Sequence, residues 1–310
     1  MVLRRLGVAL LATVAVLAAA EVVFRHGFVQ SQGWGQTLAS RRWMQRYWHP
    51  VNDAGFRDIE RDDEVLGRTK TLVVLGDSIA AGHGIADPDD RFTNILRRRL
   101  GEDWSVVLLA LPGWDTTEQA RALRRFEHDP DVVVLQYFVN DIVETCARGA
   151  TRFVPDLGPV PAALELLVER SYLANYAYWR LVLGRRGPAI AAAYLAHLDD
   201  CYDSTFVWRS HAAELTELVQ HARSRGARIV AVVFPLLGNV DATARHAARV
   251  TEHLREQGAD AVDMGTVLAG RPREEVVVNA FDHHPNVLVH SDVADRVLPE
   301  VAAMGSGGRR

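Results

Sequence analysis

The chain has little cysteine, no Cys-x-x-C pair, no internal repeat and no long face of one charge. Its two cysteines, Cys146 and Cys201, lack the spacing of a zinc ribbon or a redox motif, which leaves two separate thiols or one disulfide. A formal charge of −4, with arginines scattered among acids, provides no electrostatic footprint for nucleic acid, so none is expected as a partner. The pair His283-His284 has no cluster of carboxylates and histidines elsewhere to complete a ligand set, so no metal is expected. Low complexity is confined to the polar end, "GSGGRR", and 304–310 reads as a flexible tail. What is present is an ordinary globular composition. At 310 residues and 48% apolar content, it is enough for one large domain or two small ones.

The first 26 residues place Arg4 and Arg5 ahead of an apolar run from Leu6 to Ala20, prolonged after Glu21 by Val22, Val23 and Phe24. This pattern is an export signal. Ala18-Ala19-Ala20 satisfies the small-x-small rule for cleavage, but the prolongation to Phe24 just reaches the roughly 20 apolar residues a membrane span needs. The reading therefore favours an uncleaved anchor, with the two arginines inside and the rest of the chain exported. An oxidising compartment would permit a Cys146–Cys201 bridge. Residues 27–70, with "RRWMQRYWHPVNDAGFRD", read as a juxtamembrane arm that packs its aromatics on the core and leaves the arginines of "RRWMQR" solvated.

From residue 71 onward, short β-branched runs alternate with helical stretches. Strands are expected at Thr71–Leu75, Ser105–Ala110, Val132–Phe138, Arg228–Phe234 and Ala261–Met264, each nearly continuous in apolar residues as for strands buried on both faces. Helices are expected at Phe92–Leu100, Thr116–Glu127, Val207–Ser224, Asp241–Gln257 and Val287–Ala302. Such alternation predicts one α/β domain over 71–303, built on a doubly wound, mostly parallel five-stranded sheet. Residues 146–206 interrupt the rhythm. Helical and aromatic-rich at the start, they read as an insertion packed over a sheet edge, as a lid or substrate wall.

Ligands of open parallel sheets bind beyond the carboxyl ends of the strands. There the sequence places Gly76-Asp77-Ser78, Pro112-Gly113-Trp114 and Asn140-Asp141, and before the last helix Asp282-His283-His284-Pro285-Asn286. These are the residue types acyl transfer requires. Ser78 supplies a nucleophilic oxygen and His284 a base; Asp282, two residues earlier on an extended segment, projects to the same side and orients it, whereas His283 faces away. The N–H groups of Ser78 and Gly113 and the amide of Asn140 would form an oxyanion hole. Ser78 is also expected at a strand-to-helix turn, where helix N–H groups favour developing negative charge. Asp77 and Asp141 read as loop braces that bond backbone, and His83 and His290 as structural groups. The Gly-x-Ser-x-Gly elbow of α/β-hydrolases is absent.

The four stretches together resemble the SGNH hydrolases, the GDSL esterase and lipase family: Ser78 in "GDS", Gly113 in "LPG", Asn140 in "VND" and His284 in "DHHPN". The likeness runs from about Asn52 to the last helix, and "VNDAGFRD", with Glu21 and Arg25 closing the anchor, is similar to membrane-anchored bacterial members. The resemblance implies a three-layer α/β/α, flavodoxin-like fold and ester hydrolysis or acyl transfer without a cofactor. Two positions depart from it: Phe138 stands where the third block commonly has glycine, and Phe281 where many members carry the acid. The expected partner is an ester-bearing small molecule, lipid or acylated glycan, with the membrane engaged through the N-terminal helix. The competing readings are a non-catalytic envelope protein that binds glycan or lipid, and an O-acyltransferase with a sugar hydroxyl as acceptor.

Overall fold

A computed structural model describes residues 1–60, 62–67, 69–149 and 152–303; the tail read at 304–310 lies outside them. The N-terminal part holds α1 (Val2–His26), α2 (Leu38–Tyr47) and α3 (Asp63–Leu66). Then come β1 (Lys70–Gly76), α4 (Phe92–Leu100), β2 (Trp104–Ala110), α5 (Thr116–Arg125), β3 (Val132–Phe138) and α6 (Ile142–Ala147). After α7 (Ala162–Arg170), α8 (Tyr172–Asp203) and α9 (Thr205–Ser224), the chain continues through β4 (Arg228–Phe234), α10 (Val240–Glu256) and β5 (Asp260–Asp263). It closes with α11 (Met264–Leu268), α12 (Arg273–Val276), the hairpin of β6 (Val277–Asn279) and β7 (Asp282–Pro285), and α13 (Val287–Ala302).

The residues cluster into two units, Tyr47–Val154 with Ala193–Arg310, and Met1–Arg46 with Pro155–Ala192. In the first unit the sheet is five-stranded and all parallel, in the order β2-β1-β3-β4-β5. Alternate side chains along each strand serve opposite cores. Val73, Leu75, Val133 and Leu135 join a cluster with Leu123 of α5, Ile142 of α6, Leu215 of α9 and Val250 of α10. Leu72, Val74, Val132 and Val134 join the other, with Leu96 of α4 and Val293 and Val297 of α13. Complete burial of one such side chain stabilises by about 1.5–3 kcal/mol, so two apolar faces per strand require a helix layer on each side. The result is the expected three-layer α/β/α fold. In this strand order the connection from β2 to β3 crosses back over β1, which makes the β1/β3 carboxyl edge the topological switch point.

One feature differs from the sequence-based expectation, and the bridge that the sequence allowed is present. The stretch 146–206 is divided: Pro155–Ala192 belongs to the unit with the N-terminal residues, and the remainder to the sheet unit. Cys146 and Cys201, both in the sheet unit, are joined as a disulfide with Cα atoms 5.7 Å apart, tying α6 to the end of α8. In the other unit α1 has no buried residue, and Asn175 of α8 links α2 and α7 by accepting from Leu38 N and donating to Val168 O, both at 2.9 Å.

Candidate active site

β1 delivers Ser78 two residues past its end, and the chain then runs through a succession of turns, not the expected helix. The reason is local. Asp77, not Ser78, takes the capping role by accepting from Ile79 N at 2.7 Å, and glycines with positive φ at 82 and 84 keep the turns that begin there from continuing as a helix. Gly84 is also required by space: a Cβ on it would lie 2.5 Å from Val278 Cγ2 and 3.0 Å from Asp282 Oδ2. This close approach brings the turn against the β6–β7 hairpin. Gln136 of β3 holds the base of the turn, its Oε1 accepting from Asp77 N at 3.0 Å and Ala80 N at 3.2 Å.

The hairpin carries His284. On β7, Asp282 and His284 face one side, and His283 turns the other way, its Nε2 accepting from Arg273. Asn279 Oδ1 fixes the hairpin turn by accepting from Phe281 N and Asp282 N. His284 Nδ1 lies 2.5 Å from Asp282 Oδ1, and Ser78 Oγ 2.8 Å from His284 Nε2. With the carboxylate fully buried, the assigned tautomer has Nδ1–H donating to Asp282 and Nε2 accepting from Ser78. Asn286 then caps α13 through Leu288 N and Val289 N, which stops the strand just after His284-Pro285.

Gly113 and Asn140 come from the strands flanking β1. The register pairs Gly76 with Ala110 and Leu75 with Leu135, so Gly113 and Asn140 leave the same sheet edge as Ser78. Gly113 has φ +83° and open space where a Cβ would be, ahead of α5 with its Asp115–Glu118 capping box. Behind Asn140, the Tyr202 hydroxyl donates to Val139 O at 3.1 Å and bonds the Tyr137 hydroxyl, which bonds His211 Nε2, each at 2.8 Å. Phe138 is partly buried and packs on both cores.

Several polar groups were not legible from the sequence. Arg57 and Asp58 of the arm are buried: Arg57 donates to the carbonyls of Tyr47, Gly82 and Ile85, and Asp58 pairs with Arg97. Burial lowers the Arg57 guanidinium to about 9, so it keeps its charge at neutral pH. Asp141 bonds the side chains of Thr116 and Gln119 rather than backbone, and burial raises its carboxyl well above the usual range. Burial also raises Asp77. His83 Nε2 sits 3.6 Å from Asp282 Oδ2, its ring 4.4 Å from that of His284. The three groups His83, Asp282 and His284 thus offer ligand atoms within 4.8 Å of one another, a grouping that sequence spacing does not reveal. Asp282 and His284 are already engaged with each other and with Ser78. Cys146, Cys201 and His197 form a similar group, with both sulfurs held in the disulfide. The only forewarning of His83 in the sequence was its place between two glycines.

A sequence model described as the GDSL-like Lipase/Acylhydrolase family matches residues 74–291. No curated protein sequence matches the chain. Among solved structures, it is similar to TesA at 19% identity and TM-score 0.46, over 76% of this chain and 99% of that one. A carbohydrate acetylesterase family member from Sinorhizobium meliloti aligns at 17% identity and TM-score 0.44, over 76% and 99%. The lipase/acylhydrolase from Enterococcus faecalis aligns at 14% and 0.45, over 76% and 96%. Likenesses this distant carry nothing about substrate.

Proposed function

The chain belongs to the GDSL-like lipase/acylhydrolase family and is an ester-cleaving hydrolase, and on that premise we propose that Ser78, His284 and Asp282 perform the cleavage. The observation that carries the proposal is the unbroken relay from Ser78 Oγ to His284 Nε2 at 2.8 Å and from His284 Nδ1 to Asp282 Oδ1 at 2.5 Å. Ser78 Oγ attacks the ester carbonyl as its proton passes to His284 Nε2. The imidazolium is stabilised by the buried Asp282 carboxylate, which stays ionised and fixes the ring. Collapse of the tetrahedral intermediate returns that proton to the departing alkoxide, releasing an alcohol and leaving an acyl ester on Ser78. Water then attacks, losing a proton to His284, and the acid departs as Ser78 recovers its hydrogen.

The oxyanion of each tetrahedral intermediate is held by Ser78 N–H, Gly113 N–H and the Asn140 amide. Each donor of this kind contributes roughly 2.7–4 kcal/mol to the transition state. The catalytic unit is exported, and α1 anchors it in the membrane. Ser78→Ala should reduce turnover of p-nitrophenyl acetate by at least about 10³-fold, leaving only the catalysis that binding and the oxyanion hole provide. Turnover at the wild-type rate would remove Ser78 from the mechanism.

A further inference from the structure

The C-terminal end of α1 is built into the protein although its apolar length is exposed. Glu21 Oε2 accepts from Ser171 Oγ at 2.7 Å and Leu173 N at 3.0 Å, and its Oε1 accepts from Tyr172 N at 3.1 Å. The carboxylate thus caps the first turn of α8, where the helix dipole favours an anion. Arg25 donates to Glu21 Oε1 and to Arg170 O, both at 2.7 Å. Tyr176 packs on Phe24 and Phe28, with ring centroids 5.4 and 4.8 Å away. A carboxylate is costly at the end of an apolar helix unless its lone pairs are occupied, and here four donors occupy them. The junction between α7 and α8 is therefore fixed within about two turns of the end of α1.

That placement gives meaning to α7, "AALELLVER". Ala163, Leu166, Leu167 and Arg170 share one helical stripe, and together with Glu21, Arg25 and Ser171 they line an open groove beside α1. Such a stripe ordinarily turns into a core. Here Leu166 is 70% and Leu167 53% exposed, and Val168, on another side of α7, is its only buried residue. Glu21 lies five residues from the last residue of α1, a depth of roughly 7 Å, which is the depth to which interfacial helices sink their apolar faces.

We propose that α7 is an interfacial helix whose Leu166–Leu167 stripe is covered by bilayer lipid, with Arg25 and Arg170 at the headgroup level. The occupant is lipid because the groove is continuous with the surface of α1, and the inference rests on the reading of α1 as a membrane span. Glu165 and Glu169, off the stripe, face water.

All cysteine in the sequence is in the disulfide, so one introduced cysteine gives a single labelling site. The full chain, reconstituted in phosphatidylcholine–phosphatidylglycerol vesicles, is spin-labelled separately through Leu11→Cys, Leu166→Cys and Glu169→Cys. Accessibility to oxygen is compared with accessibility to a polar nickel chelate. The oxygen-to-nickel ratio should be highest at position 11, severalfold higher at 166 than at 169, and lowest at 169. A deep label at 11 with 166 as nickel-accessible as 169 overturns the interfacial helix and leaves the span intact. An aqueous label at 11 overturns both. Spin–spin broadening at 166 that disappears on dilution with unlabelled protein assigns the stripe to a second copy and overturns the lipid assignment.

Discussion

At the residue scale, the proposed chemistry depends on who holds which proton. Asp282 is fully buried and accepts from both His284 Nδ1 and His284 N, so replacing it by asparagine keeps the shape but favours the wrong tautomer. Asp282→Asn is expected to lower kcat by about 10²–10⁴-fold with little change in KM, measured on a p-nitrophenyl ester. An unchanged kcat would mean that the ring needs no orienting acid. His290 gives a separate test, on stability. Buried among Arg91, Arg57 and His284, with Nδ1 accepting from Phe92 N at 3.3 Å, it is pushed down to about 3, desolvation being the largest cause. The unfolded chain takes up that proton near 6.5 and the folded one only near 3. Stability from this group is therefore complete above about 6.5 and falls on acidification, by up to about 1.4 kcal/mol per pH unit, until the folded value is reached. His290→Asn, which keeps an acceptor for Phe92 N, should flatten urea-midpoint curves between about pH 6.5 and 4. Parallel curves for the two proteins would show that another group drives acid lability.

At the scale of elements, β1 to β4 were legible because both faces are buried, whereas β5 at the sheet edge is part-exposed. Runs such as Val132–Phe138 are apolar throughout, save Gln136, and Arg228–Phe234 nearly so; β1 and β2 extend the expected runs by a residue at their ends, and β5 lies one residue earlier than expected. The positions of Ser78, Gly113, Asn140 and His284 after strands or before the last helix were legible for the same reason. The turn after Ser78 was not, because two glycines and an aspartate at the end of a strand suit a helix start as well as a broken turn. Nor was the burial of Arg57 and Asp58: a guanidinium satisfied by backbone carbonyls leaves no periodic signal in the sequence. The partition of 146–206 involves long-range contacts such as Ser171 to Glu21, across 150 positions, which leave no local signal. The disulfide closes a separation of 55 residues, and its removal through Cys146→Ala with Cys201→Ala should cost about 2–4 kcal/mol. Thermal unfolding under oxidising conditions measures this, and an unchanged midpoint would mean that the link constrains nothing in the unfolded chain.

At the scale of the whole molecule, a parallel sheet with β1 at its switch point brings Ser78, two flanking strand ends and the hairpin-borne His284 to one edge, while a separate apolar helix precedes them in the chain. If α1 is an anchor, the full chain should remain in the membrane pellet through carbonate extraction at high pH. Release into the supernatant would indicate a cleaved or peripheral segment. The central claim is that Ser78 is a nucleophile activated by His284, and fluorophosphonate labelling of the full chain reads it directly. Intact mass followed by peptide mapping should find one phosphonyl adduct, on Ser78, formed at a rate that collapses in His284→Ala. An adduct on another residue, no adduct at all, or equal labelling of the His284→Ala variant would contradict the account.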